Sequence, residues 1–399
     1  MRNNVLPLGA TLAFQALVSM AALTVPAIAP AISANVHIPA SYVGLFIALV
    51  YGASMASSVA SGDLIRKVGA VRVTQVCLLL CAAGLGLSAV GSVPFFVLGA
   101  LLIGAGYGPI TPASSHVLVK TTPRHLMSLV FSLKQTGVPL GGALAGALAP
   151  LLVLAGGWRL AVLAVAAGCV GTCALAQAIR GQFDDDIDPT WRVGAKGVAR
   201  SLRIVAQEPA LRRLAAASFL FSAVQLCLMT FLVTHLTRGL GMTLVQAGLM
   251  LAVAQTAGVV GRVVWGALAD RCGRPLLILA GLGGGMALGA LAMALLAPSW
   301  PLPLTAVVSA VFGATAIGWN GVYLAEVARQ APLGQAVEAT GGTLFFTFFG
   351  VLVGPPLFAL VVENGGSYAL AFGLLAVPTI ACGAILLAQD LRSRPTAGR

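Results

Sequence analysis

Gly266-Ala267-Leu268-Ala269-Asp270-Arg271-Cys272-Gly273-Arg274 sits where one apolar run, 243–267, gives way to the next, 275–297. Six runs earlier, between 42–60 and 73–91, stands Gly62-Asp63-Leu64-Ile65-Arg66-Lys67-Val68-Gly69. Each stretch opens on a glycine, carries a second one seven residues later, and packs its charges into one short turn. Glycine lets two helices approach closely, and an Asp in such a turn can cap the following helix or pair with an Arg. Recurrence at this spacing divides the chain into two related halves.

The apolar runs are 6–32, 42–60, 73–91, 95–118, 126–154, 158–179, 213–236, 243–267, 275–297, 302–327, 339–362 and 367–389. Each approaches or exceeds the roughly 20 residues that a helix needs to cross a bilayer. The 399 residues are 59% hydrophobic and 9% charged, with mean hydropathy +0.98. A soluble domain carries about 25% charged residues, so a globular enzyme, a disordered chain and a nucleic-acid binder are disfavoured. The expected fold is an all-α polytopic membrane protein of twelve transmembrane helices. Its expected parts are a six-helix bundle over 1–179, a cytoplasmic linker over 180–212, and a second bundle with a short tail over 213–399. The first run, Leu6 to Ile32, is too long for a signal-peptide core of about 7–15 residues and reads as a retained span.

The net charge of +12 and pI near 10.0 reflect orientation rather than an acidic partner. Of 23 Lys and Arg, 19 fall on the side of the termini and the loops after even-numbered spans; Arg159 and Arg238 fall opposite, and Lys134 and Arg262 lie within spans. The positive-inside rule then puts both termini in the cytoplasm, with the chain in the inner membrane. Seven cysteines form no framework: Cys77/Cys81 and Cys169/Cys173 read as small hydrophobes inside helices, and no metal or cofactor is expected. The linker opens acidic (Asp184, Asp185, Asp186, Asp188) and turns basic (Arg192, Lys196, Arg200, Arg203, Arg212, Arg213). It reads as a solvated tether, with a short membrane-surface helix over 198–205 as the alternative.

Neither a Gly-x-x-x-x-Gly-Lys-Ser/Thr loop nor a TVGYG-like filter occurs, which leaves a secondary transporter. Ionisable residues inside spans are costly and are therefore functional candidates. Lys134 lies about 15 Å inward from Arg124, and Arg262 about 12 Å inward from Asp270. The acids Asp63, Asp270, Glu326, Glu338, Glu363 and Asp390 instead lie near span ends or in loops. Two central cations without a clear protein counter-anion predict an anionic substrate. Around them Gln135, Gln225, Gln255, Asn320, Tyr323 and Tyr51 are candidate orienting groups. Helix–helix hydrogen bonding is the commoner use of such amides.

The loop stretches resemble the major facilitator superfamily, whose signature is Gly-x-Leu-x-Asp-Arg-x-Gly-Arg. Gly266, Asp270, Arg271, Gly273 and Arg274 match it; in the first copy Arg66 stands where the family has an acid. In that family the first-copy loop latches against the start of the eleventh span. Here Glu338 stands near that start, so a charge-swapped latch from Arg66 or Lys67 to Glu338, beside Gly62, is expected. Gly261-Arg262-Val263-Val264-Trp265-Gly266 is similar to monocarboxylate and oxalate/formate carriers, where the arginine contacts a substrate carboxylate. The oxalate carriers' lysine on the eleventh span is absent, and Lys134 occupies the pseudo-symmetric fifth span. The resemblance implies a monomeric carrier of a small mono- or dicarboxylate. Lys134, His116, Glu326 or the substrate itself are the candidate proton carriers, and exchange or uniport are the alternatives. Gly137-Val138-Pro139-Leu140-Gly141-Gly142 loosely resembles the Gly-Pro-x-x-Gly-Gly signature of drug exporters, which supplies the competing reading: a proton-driven exporter of amphiphiles.

Overall fold

The computed structural model describes residues 2–36 and 42–392, so the expected tail at 393–399 lies outside the described residues. The helices are α1 (Arg2–Ala27), α2 (Ala29–Val36), α3 (Tyr42–Val68), α4 (Ala70–Ser88), α5 (Val93–Thr121), α6 (Met127–Gln135), α7 (Gly137–Ala176), α8 (Arg180–Phe183) and α9 (Ala195–Gln207). They continue as α10 (Pro209–Thr234), α11 (Leu244–Cys272), α12 (Pro275–Leu295), α13 (Leu302–Ala316), α14 (Asn320–Gln330), α15 (Ala336–Glu363) and α16 (Tyr368–Arg392). No strand occurs among the described residues.

Among the described residues eleven segments are long and apolar enough to cross a membrane, and one of them runs for 60 residues from Arg124 to Phe183. A straight helix of that length would measure about 90 Å, three times the hydrocarbon thickness. It breaks at Gly156 and Gly157, where φ and ψ leave the helical region and Gly157 takes φ +83°. That break makes two spans of one segment, giving the twelve expected. Three runs are interrupted rather than continuous: 6–32 at Ile28 between α1 and α2, 126–154 at Thr136 between α6 and α7, and 302–327 at 317–319 between α13 and α14.

One compact unit comprises Met1–Thr122, Leu133–Leu211 and Ala328–Phe348. In it α4 packs on α5 and α7, α1 on α7 and α5, and α3 on α5 and α9. Small residues set the spacing: a Cβ on Gly104 would collide with the Val50 carbonyl, and one on Gly141 with that of Ala16. Without a hydrophobic drive between helices in lipid, such close approach supplies the packing. The other unit comprises Pro123–Ser132, Arg212–Val327 and Phe349–Arg399. There α12 packs on α16 and α13, and α11 on α13, with Gly313 lying against the Ala254 carbonyl.

The linker corrects the expectation of a solvated tether. Both oxygens of Asp184 accept from the first-turn amides of α4, Val71 N at 2.8 Å and Arg72 N at 3.1 Å. These are donors with no intrahelical partner, so a carboxylate there both satisfies them and meets the positive helix end. Gly69 is required twice over at this cap: its φ is +93°, and a Cβ would strike the Asp184 carboxyl. Asp185 and Asp186 pair with Lys120 at 2.9 and 2.7 Å, and Asp188 N donates to Arg66 O at 2.8 Å. The basic part is likewise tied down, as helix α9. Helix α9 buries Ile204 and Val205, and Ser201 Oγ donates to the Val59 carbonyl of α3 at 3.0 Å.

Candidate functional site

Lys134 and Arg262 are 1% and 2% exposed. Lys134 occupies the last turn of α6, where helix carbonyls favour a cation. Its Nζ donates to Gln15 Oε1 at 2.8 Å, Gln135 Oε1 at 3.0 Å and Thr111 Oγ1 at 3.3 Å. Thr111 in turn donates to Gln15 Oε1 at 3.1 Å. Three helices, α1, α5 and α6, thus converge their polar atoms on one ammonium. Four residues before Thr111 on α5 is Tyr107, which forms a triangle of rings with Tyr51 and Phe348, each pair of centroids 6.1 Å apart.

Arg262, on α11, donates from Nε to the Ile317 carbonyl at 2.9 Å. That carbonyl belongs to the break between α13 and α14. Breaks in spanning helices are tolerated where side chains or a cavity re-satisfy the backbone, and the arginine does so here. Trp265, one turn on, likewise donates to Ala314 O at 2.9 Å. Immediately after the break, Trp319 Nε1 and Asn320 Nδ2 both donate to Gln225 Oε1, at 3.0 and 3.2 Å. Tyr323 is buried with its ring 5.2 Å from that of Trp319, and Glu326, one turn further, is 3% exposed. Gln255 is half-buried on α11, seven residues before Arg262.

The two loop stretches place their charges on helix starts. Asp270 accepts from Ser128 N at 3.0 Å and Leu129 N at 2.7 Å, at the start of α6, while Gly266 lies against Ser132. In the other copy Arg66 Nη2 meets Glu338 Oε1 at 2.6 Å and donates to Gly334 O at 3.0 Å. Glu338 is in the first turn of α15 and 2% exposed. A Cβ on Gly62 would come within 2.8 Å of Glu338 Cγ, so the glycine makes room for the pair. Lys67 and Arg271 are exposed. Neither loop Asp caps the helix that follows it. Asp63 accepts from Trp191 Nε1 at 3.0 Å and pairs with Arg200 at 3.6 Å, while Arg274 pairs with Asp390. Gly273 closes α11 in the left-handed region at φ +61°. His116 faces the linker, with Nε2 3.0 Å from Asp186.

The family model that matches this chain is the Major Facilitator Superfamily, over residues 11–346. The chain belongs to that superfamily. It is 25% identical over 375 residues to the "Probable sulfoacetate transporter SauU" of Cupriavidus necator, covering 86% of this chain and 84% of that protein. Among solved structures, the E. coli fucose:proton symporter FucP superposes with TM-score 0.77 at 17% identity, covering 98% of this chain and all of that one. The human organic anion transporter MFSD10 (TETRAN) gives 0.74 at 16%, covering 94% and 98%. These two likenesses show the fold. This chain is a multi-pass major facilitator transporter, and its superfamily is one of carriers rather than enzymes.

Gln15, Thr111 and Tyr107 were not singled out by the sequence. Gln15 carried a signal, as the one amide in the run 6–32 before Asn35. Thr111 is an ordinary residue for a membrane helix and carried none.

Proposed function

We propose that the protein is a secondary active transporter of a small organic anion, with Lys134 and Arg262 as its cationic contacts. The observation that carries this reading is the Lys134 ammonium, buried at mid-span and received by oxygens of Gln15, Gln135 and Thr111. A negatively charged substrate oxygen is a stronger acceptor for that ammonium than these neutral oxygens. An ammonium is a movable point charge, whereas guanidinium suits bidentate recognition of planar acids. Arg262, beside a helix break, has the setting in which carriers of alternating access assemble substrate sites. The relative's substrate, sulfoacetate, carries one carboxylate and one sulfonate, which supports a substrate of one or two acidic groups. Gln225, Asn320, Tyr323 and Tyr51 are the further groups proposed to contact the molecule. The carrier works in the inner membrane with both termini cytoplasmic, as the basic loops favour, and couples to protons.

Counterflow in proteoliposomes tests this, with labelled monocarboxylates, dicarboxylates and sulfoacetate. Wild type is expected to exchange at least one of them, and Lys134→Met or Arg262→Ala to lower exchange by tenfold or more. Acidifying the outer medium is expected to accelerate net uptake. Movement of lipophilic cations with no anion exchanged would reassign both residues to gating and favour an amphiphile exporter.

A further inference from the structure

Beside the Arg66–Glu338 pair, a groove of about 490 Å³ opens to solvent. Its basic walls are Arg66, Arg200 and Arg203, its floor includes Trp191, and Leu333 stands at its rim. Arg66 and Arg200 both stack on Trp191, each guanidinium carbon 4.9 Å from the ring centroid. The indole therefore holds two planar cations in fixed positions. The carboxylates that balance them, Glu338 and Asp63, are 2% and 4% exposed, whereas Arg203 is exposed and Arg200 partly so. The groove thus shows positive charge to the outside and keeps its negative charge behind. Arg200 Nη1 is buried against Asp63 at 3.6 Å, while the side chain as a whole is 39% exposed and lines the groove. Exposed guanidinium groups on such a wall suit an external anionic acceptor.

Depth and apolarity narrow what that acceptor is. Arg66 lies in the last turn of a spanning segment that ends at Val68, and Gln335 immediately precedes one that starts at Ala336. The ends of spans meet the lipid headgroups. Leu333, 96% exposed at the rim, offers an apolar contact that a small soluble anion has no use for. The linker adds Val193, 44% exposed, two residues beyond Trp191.

We propose that this groove binds the phosphate headgroup of an anionic phospholipid, with Arg200 and Arg203 contacting the phosphate and Leu333 meeting the lipid's glycerol and upper acyl region. Arg66 belongs both to this wall and to the pair with Glu338, so a lipid bound here favours the arrangement in which Arg66 is held in place.

Native mass spectrometry of the delipidated full chain, titrated with phosphatidylglycerol, phosphatidylcholine or glycerol-1-phosphate, tests the proposal. Wild type is expected to retain phosphatidylglycerol at least tenfold more tightly than phosphatidylcholine. Arg203→Gln is expected to weaken it about fivefold, and the Arg200→Gln/Arg203→Gln pair roughly 30-fold. Leu333→Ser is expected to weaken lipid retention without altering any glycerol-1-phosphate competition. Equal retention of both lipids, or an unchanged preference in Arg203→Gln, would overturn the site. Full competition by glycerol-1-phosphate at equal concentration would overturn the lipid and leave a soluble phosphate. Arg203 is exposed and holds no other element in place, so its variant separates loss of the site from loss of the fold. An unfolding temperature in phosphatidylcholine equal to wild type checks this.

Discussion

Reversing the Arg66–Glu338 pair exposes what the latch contributes. The two ends approach to 2.6 Å, with Arg66 32% exposed and Glu338 2% exposed. Charge centres about 4 Å apart attract by about 4 kcal/mol at the effective dielectric of ~20 found in proteins. The exposed third of Arg66 returns part of this to water, and burying Glu338 costs desolvation, leaving about 1–3 kcal/mol. Opening of the latch should therefore become about 5- to 150-fold more frequent when one charge is reversed. Arg66→Glu sets two carboxylates against each other, and Glu338→Arg two guanidinium groups. The double variant restores opposite charges, and Gly62 still leaves room at the first side-chain carbons. Hydrogen exchange of backbone amides over 63–68 and 336–340, in proteoliposomes, reads opening directly and needs no knowledge of the substrate. Each single variant is expected to exchange faster by the factor above, and the double to return to within about threefold of wild type. Additive acceleration in the double variant would refute the pairwise reasoning, as would a Glu338→Arg variant that exchanges like wild type.

Two further outcomes follow from packing and charge. Gly104→Ala places a methyl group against the Val50 carbonyl, whereas a Cβ on Gly52 meets nothing within 4 Å. Thermal unfolding in detergent should show the first destabilised by about 1–3 kcal/mol and the second unchanged or stabilised by up to about 1 kcal/mol. Asp185 and Asp186 are both held below the ordinary carboxylate value of 3.8. For Asp185 the hydrogen bond from Lys120 is the main cause; for Asp186 partial burial pushes upward, and hydrogen bonds from Lys120 and His116 with their charge outweigh it. Depressed folded values mean that the linker's attachment is complete above about pH 3.8 and lost as pH falls through the lower folded values. Limited proteolysis should find the wild-type linker protected at neutral pH and cut once acidified below that value. The Asp185→Asn/Asp186→Asn variant should already be cut at pH 7.

Apolar runs announce spanning helices because lipid forces every backbone group into internal hydrogen bonds, so hydropathy alone reads out the all-α architecture. The central cations were legible for the converse reason: Lys134 and Arg262 interrupt runs in which any charge is costly. Their surroundings were legible only in part. Gln135, next in sequence, was a candidate, whereas Gln15 and Thr111 reach Lys134 across 119 and 23 residues of sequence; the amide of Gln15 stood out in its apolar run, but nothing said what it faces, and Thr111 did not stand out. The break at 317–319 falls in a run whose one proline, Pro303, lies at its far end, and only Gly318 stands within the break to suggest it. Asp184, which caps α4 from 113 residues away, looks from sequence like one more solvated acid. What decides these features is which surfaces the tertiary fold brings together.

The two loop stretches also explain how a motif survives the loss of its acid. Asp270 delivers a carboxylate to the amides that begin α6, where unsatisfied donors and the helix dipole favour negative charge. An arginine at the equivalent loop position would meet a helix start of its own sign. Glu338 removes that conflict by carrying the carboxylate on the helix itself, in the first turn of α15. The helix start is then already compensated, and the loop is free to supply the cation that compensates the buried Glu338. Both arrangements put one carboxylate at one helix start, and a glycine at the same place in each stretch leaves room for the partner helix: Gly62 for Glu338, Gly266 for Ser132. What the two copies share is therefore this local charge balance and the space for it. Arg66 is then not a degenerate position in a worn repeat but the partner that makes a buried glutamate at 338 tolerable.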